Sequence, residues 1–340
     1  MSQQKSEENR IIPGAESLSG ADETKEGKPF FVDGHVDLPY FVMNHARKSS
    51  LSEIPDAPFT IEKAGRAGIR LFCTAIYCED RFNGADSFRH FQDILHFTKR
   101  LYDNVVIIKN KSDLDGLIAK DEDVGTLFLL ENGDALAVNI PYIAELKEEG
   151  IGIVGLTHAG KNRLADGNSV QYPDGLTLDG KEVIGSLNEN GLIIDVAHLH
   201  PKCFWQVLDL SEGPLISSHT GIRELFNTPR NISLEQAKEL FERGGIVGIT
   251  FNPEMLSPVG EARLEDIFAH FDTVVQKFGP KGVGMGSDYC GFDLVIEGLE
   301  DITGITSLID VMLDHGYAHE DVNDIMGRNW LRIYESYLNV

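Results

Sequence analysis

Eight short apolar runs, each closed by a polar or charged side chain, constrain this 340-residue chain more than any other feature of it. They fall at 30–35 (FFVDGH), 69–77 (IRLFCTAIY), 124–131 (VGTLFLLE), 151–158 (IGIVGLTH), 192–198 (LIIDVAH), 214–219 (PLISSH), 246–252 (IVGITFN) and 282–288 (GVGMGSD). Nearly continuous hydrophobic strands are buried on both faces, as in a parallel sheet covered by helices. The segments between them carry helical spacing, with candidate helices at 86–102, 141–149, 182–190, 201–210, 234–243, 264–278 and 306–315. Several are followed by glycine (Gly150, Gly191, Gly244, Gly279, Gly316), the residue a left-handed helix cap favours. The alternation predicts an α/β fold, a single-domain (β/α)8 TIM barrel over 29–340. Residues 105–110 read as an inserted strand followed by a short helix, and residues 1–28, polar and poor in aromatics, as a flexible tail.

The C-terminal ends of the strands in such a barrel converge on one mouth. Here those ends carry His35 and Asp37, Glu131, His158, His198, His219 and Asp288. His35 and Asp37 stand two apart in an extended segment, so they face the same way and can hold one ion together. A single histidine at a strand end is ordinarily a packed rim residue. Four histidines and three carboxylates at six of eight ends exceed what packing asks for, because barrel interiors favour Val, Ile and Leu.

Imidazole and carboxylate donors suit zinc, with Mn2+, Co2+ or Fe2+ as substitutes. They are too many for one tetrahedral ion that keeps a place for water. Two Zn2+ sharing a bridging carboxylate would use them, and a hydroxide between two such ions attacks an amide, ester or phosphate at neutral pH. Asp33 reads as a support for the site rather than a ligand. His200 reads as a helix-start residue, and His45, His90, His96, His270, His315 and His319 as surface or packing residues.

Composition narrows the partners. Against 54 acidic residues there are 30 basic ones, a formal charge of -24, which argues against nucleic acid or an anionic membrane surface. The opening MSQQKSEENR has no apolar core like that of a secretory signal, no later run is long enough to span a bilayer, and the amphipathic NWLRIYESYLNV is not an anchor signal. Cys73, Cys78, Cys203 and Cys290 lack zinc-finger spacing, so reduced thiols in a cytoplasm are expected.

DGHVDLP, the Glu of LLENGDAL, LTHAGKNRLADG, LIIDVAHLH, PLISSHTGIRELFNTPRNIS and GMGSDYCG, in that order, resemble the membrane (renal) dipeptidase family of amidohydrolase-like metal-dependent hydrolases. The likeness runs from about Phe31 to the end. It implies a binuclear zinc dipeptidase in which His35 and Asp37 bind one ion, His198 and His219 the other, and Glu131 bridges them. His158 would then polarise the scissile carbonyl and stabilise the oxyanion, and Arg230 would hold the substrate's terminal carboxylate. Asp288 would take the proton of the bridging water and pass it to the leaving amine. The implied substrates are small dipeptides, including those with a C-terminal D-residue, and homodimers are common among such proteins. Three positions depart from the family's pattern: Asn132 in place of a glycine, Cys290 in place of an aspartate, and Asn252 in place of a pocket aromatic. They keep open the hydrolysis of another small amide or lactone, such as an N-acyl amino acid. A non-catalytic binding barrel is the remote alternative, with no ligand or base missing to favour it.

Overall fold

The computed structural model describes residues 29–46, 54–102 and 105–338; the tail expected over 1–28 lies outside them. The strands are β1 (Phe31–Val36), β2 (Ile69–Tyr77), β3 (Val106–Ile107), β4 (Gly125–Glu131), β5 (Ile151–Gly155), β6 (Ile193–Asp195), β7 (Leu215–Thr220), β8 (Ile246–Ile249) and β9 (Val283–Met285). With β3 set aside, neighbours follow chain order from β1 to β9 and every pairing is parallel, so the expected barrel is present. The ring closes just beyond the last strand. Val36 bridges Tyr289, Asp288 N donates to His35 O at 3.0 Å, and Asp37 N donates to Tyr289 O at 2.9 Å.

Four strands are shorter than their apolar runs suggest. β5, β6, β8 and β9 each stop three residues before His158, His198, Asn252 and Asp288, so these side chains ride on the turns that follow. The reason for two of them is local: His198 and Asp288 have φ of 64° and 66°, which no ladder residue adopts. The inserted strand shrinks to the two residues of β3. It occupies the edge at the start of β4 that β5 leaves free by joining only at Phe128, and Asn110 then opens a helix with a capping box.

Helices appear where the spacing places them, at Ser87–Leu101, Pro201–Leu210, Leu234–Glu242, Leu264–Phe278 and Ile305–Asp314. Leu178–Glu189 starts a turn earlier than 182–190 because Thr177 Oγ1 accepts from Gly180 N at 3.0 Å and so caps it. The segment 141–149 is a 3-10 stretch, Ile140–Glu145, followed by one α turn, Leu146–Glu149. No described helix is long and apolar enough to cross a membrane.

A helix absent from the expected set, Asn329–Leu338, closes the barrel's N-terminal end. Its Trp330 is fully buried and donates Nε1 to Met285 O at 2.7 Å; a Cβ on Gly34 or Gly284 would run into the indole. Arg332 reaches the carbonyls of Gly244 and Lys281 at the entries to β8 and β9.

His270, on Leu264–Phe278, is 1% exposed and joins two turns of the opposite end. Its Nδ1 accepts from Ile222 N at 2.8 Å, and Nε2 faces Leu256 O at 3.4 Å. Burial holds its pKa down at about 4, against 6.5 in the unfolded chain. Between those values the unfolded chain binds the proton and the folded one does not, so stability is lost as pH falls through this window, by on the order of 3 kcal/mol. His270→Asn keeps an acceptor for Ile222 N and removes the titration. Urea midpoints of the two proteins, measured from pH 7 to 4, should show a shallower decline in the variant; parallel declines would refute the assignment.

Candidate active site

The strand ends bring together every donor singled out in the sequence. Glu131, the last residue of β4, sits at the middle with 5% exposure. Its Oε1 lies 2.9 Å from His198 Nε2 and 4.0 Å from His219 Nε2, while Oε2 lies 3.6 Å from His35 Nε2. His35 Nε2 is also 3.2 Å from Asp37 Oδ2, yet it makes no hydrogen bond among the described residues. The Nε2 atoms of His198 and His219 face each other at 3.1 Å. Nitrogen lone pairs and carboxylate oxygens thus converge with few hydrogens between them, an arrangement that a cation relieves. The donor set fits metal ions. Three groups have donor atoms within 4.8 Å of one another: His35, Glu131 and His219; Glu131, His158 and His198; and His35, Asp37 and Asp288. Asp288 and His158 therefore each belong to a group of donors that could hold an ion.

The electrostatics carry the same demand for positive charge. Burial disfavours a charged His35, but Asp37, Glu131 and Asp288 outweigh it and lift its pKa to about 10. For Glu131, too, burial opposes the charge; the His198 hydrogen bond and the His35 charge prevail and hold it well below the carboxylate range. Burial and the neighbouring Asp37 charge push Asp288 up to about 8. Without cations, protons would be drawn into this cluster in their place.

Above the cluster opens a cavity of about 470 Å³. Asp37, Glu131, His158, His198, His219, Arg230 and Asp288 line it, and His35 lies buried just beneath. Arg230 comes from the loop after β7. Its Nη2 donates to His219 O at 2.8 Å and its buried Nη1 has no hydrogen-bond partner among the described residues, leaving a donor for a ligand. His158 Nδ1 lies 3.3 Å from Asp80 Oδ2 and 3.4 Å from Tyr77 Oη, and Asp80 also accepts from Gly160 N at 3.0 Å. Asp33 takes no place among the donors: its Oδ1 accepts from His35 N and Ser287 N, and burial lifts its pKa to about 6. His200 caps the helix Pro201–Leu210 by accepting from Lys202 N at 3.0 Å. All four cysteines are buried and free.

Sequence reading missed Tyr40, Tyr77, Asp80 and Asn168 as site residues. Tyr77 ends an apolar run as the histidines do and was open to the same rule. Asp80 and Asn168 lie in turns whose meeting no spacing reveals. The three departures separate cleanly. Asn132 sits at φ 70°, a conformation asparagine tolerates best after glycine, and its Nδ2 bonds Cys78 O at 2.7 Å and Asn83 Oδ1 at 2.8 Å. Cys290, at φ 74°, is buried outside the cavity wall. Asn252 alone reaches the cavity, where its Nδ2 donates to Asp288 Oδ2 at 3.1 Å. With His198 and Asp288, Asn132 and Cys290 complete the described non-glycine residues of positive φ, and all four follow barrel strands at this mouth. Such strain, about 1–3 kcal/mol each, collects where function fixes the backbone.

Comparison with known proteins agrees with this architecture. The family model described as membrane dipeptidase, peptidase family M19, matches residues 27–340. An uncharacterized dipeptidase of Schizosaccharomyces pombe is 24% identical over 327 residues, spanning 90% of this chain and 80% of its own. Dipeptidase verJ of Clonostachys rogersoniana is 27% identical over 324 residues, spanning 90% and 83%. Among solved structures, the dipeptidase AC metallopeptidase of family M19 superposes with a TM-score of 0.83 at 19% identity, covering 92% of this chain and all of that one. A metallopeptidase of Rhodobacter sphaeroides, liganded with a phosphinate mimic of the dipeptide L-Ala-D-Ala, superposes with a TM-score of 0.82 at 20% identity, covering 91% and 99%. With its barrel, its metal-fitting donors and a family match running from residue 27 to the end, the chain belongs to the membrane dipeptidase family, peptidase family M19.

Proposed function

We propose that the protein is a binuclear zinc dipeptidase acting on small dipeptides, those with a C-terminal D-residue included. The observation that carries this is the division of the Glu131 carboxylate, one oxygen toward His198 and His219 and the other toward His35 beside Asp37. His35 and Asp37 would hold one Zn2+, His198 and His219 the other, with Glu131 between them. Bound there, the ions supply a water ionised at neutral pH and a Lewis acid for the scissile carbonyl.

The chain's own groups do the rest. Arg230 Nη1, buried and unpartnered, presents a charged donor to the substrate's terminal carboxylate. His158, held at Nδ1 by Asp80, keeps Nε2 for the carbonyl oxygen as it gains charge. Asp288, beside Asp37 and steadied by Asn252, accepts a proton and delivers it to the leaving amine. The cavity volume suits a small ligand. The phosphinate bound by the R. sphaeroides relative supports a dipeptide with a D-residue at its C-terminal position.

Release of free amino acid from L,L and L,D dipeptides should vanish on chelation and return with zinc. A zinc-loaded protein silent on every dipeptide would sink the proposal. Because Asn252 stands where an aromatic is usual, N-acyl amino acids and lactones belong in the same panel, and turnover confined to them would favour that hydrolase.

Two substitutions separate the roles. Asp288→Asn should lower kcat by about 10²–10⁴-fold while bound zinc, measured by elemental analysis, stays unchanged. Arg230→Ala should lower kcat/KM about 10- to 100-fold on dipeptides, far less on substrates with an amidated C-terminus.

A further inference from the structure

Ser218, on β7 immediately before His219, is fully buried, and its hydroxyl has three polar neighbours. Asp195 Oδ2 lies 2.5 Å away, His219 Nδ1 2.8 Å and His35 Nδ1 3.3 Å. A hydroxyl has one hydrogen to give and two lone pairs to offer. Asp195 Oδ1 is already taken, accepting from Ser218 N at 2.9 Å and from Ala197 N at 3.0 Å, so the carboxylate stands fixed with Oδ2 toward the hydroxyl. The Ser218 hydrogen goes to Asp195. Its lone pairs then receive the Nδ1 hydrogens of His35 and His219.

That division fixes one tautomer in both rings. Each keeps its Nε2 lone pair for the Glu131 side of the site, the two rings lying at 31° with centroids 3.7 Å apart. His198 lacks this support, for its Nδ1 has no hydrogen-bond partner among the described residues. We infer that Ser218 is a positioning residue which, through one hydroxyl backed by Asp195, sets the tautomer of a histidine from each ion's ligand set and so couples the two ion positions. The inference rests on the two-ion reading above.

Zinc titration of the metal-free protein against a competing chelator tests it. The wild type should take two equivalents, and Ser218→Ala should weaken both, by about 10- to 100-fold each. Ser217→Ala, which removes a buried hydroxyl without a hydrogen bond among the described residues, should titrate as the wild type. Asp195→Asn reverses the order of hydrogens. Its Oδ1 must still accept from the two backbone N–H groups, so Nδ2 donates to Ser218, whose hydrogen then turns to one imidazole and drives that ring's own hydrogen onto Nε2. This isosteric variant should lose one tight equivalent, and it decides the matter should Ser218→Ala fail to show a wild-type melting transition without metal. Two wild-type affinities in both variants, or a loss confined to one equivalent in Ser218→Ala, would overturn the coupling alone. A single equivalent in the wild type would overturn the two-ion reading as well.

Discussion

A carboxylate removed from water must find positive charge or hydrogen-bond donors, and at Glu131 the protein provides chiefly imidazoles. The rest of the site answers that constraint. His35 and His219 reach Glu131 as strand residues with their other ring nitrogens held by Ser218, while His198 reaches it from a turn. Asp37 and Asp288 add negative charge that only cations or protons can balance. A cluster of this composition is a poor way to stabilise a barrel and a good way to hold ions, which is why its cost falls at the mouth and not among the apolar layers.

Much of this was legible in the sequence because strand period and barrel topology act together. Once eight buried runs imply a closed parallel sheet, their last residues must meet, and His35, Asp37, Glu131 and His219 needed no further information. His158, His198 and Asp288 were found by the same rule for a looser reason, since they stand beyond the strands and are aimed by turns. Asp80 and Asn168 stayed hidden because their roles depend on which turns touch. The helix Asn329–Leu338 was missed for a related reason: its amphipathic pattern was visible, but the notch that receives Trp330 is made by Gly34 and Gly284, 250 positions apart.

The departures from the family pattern show how a substitution is absorbed. Asn132 replaces a glycine where the backbone needs positive φ and turns its amide into a tie between three loops. Cys290 tolerates the same kind of backbone while lying away from the cavity. Asn252, where the family pattern has an aromatic, donates a hydrogen bond to Asp288, so the group proposed to move a proton is also the one whose surroundings depart from that pattern. The proposed ion ligands and the departure that reaches the cavity thereby lie on different parts of the mouth, the former on β1, β4, β7 and the turns after β1 and β6, the latter on the turn after β8.

The seam of the barrel has a consequence for the order of biosynthesis. Asp33 bonds to Ser287 across 254 positions, and Asp37 and Asp288 stand on the two sides of the same joint. A chain growing from its N-terminus has made most of the barrel before it has made the joint. Until Tyr289 has emerged, His35 and Asp37 line an open sheet edge, and the ion site proposed for them is incomplete. Contacts of such separation are also slow to form. Closure of the ring therefore also brings Asp288 to His35 and Asp37, and a chain truncated before Tyr289 can make neither the joint nor that group of donors.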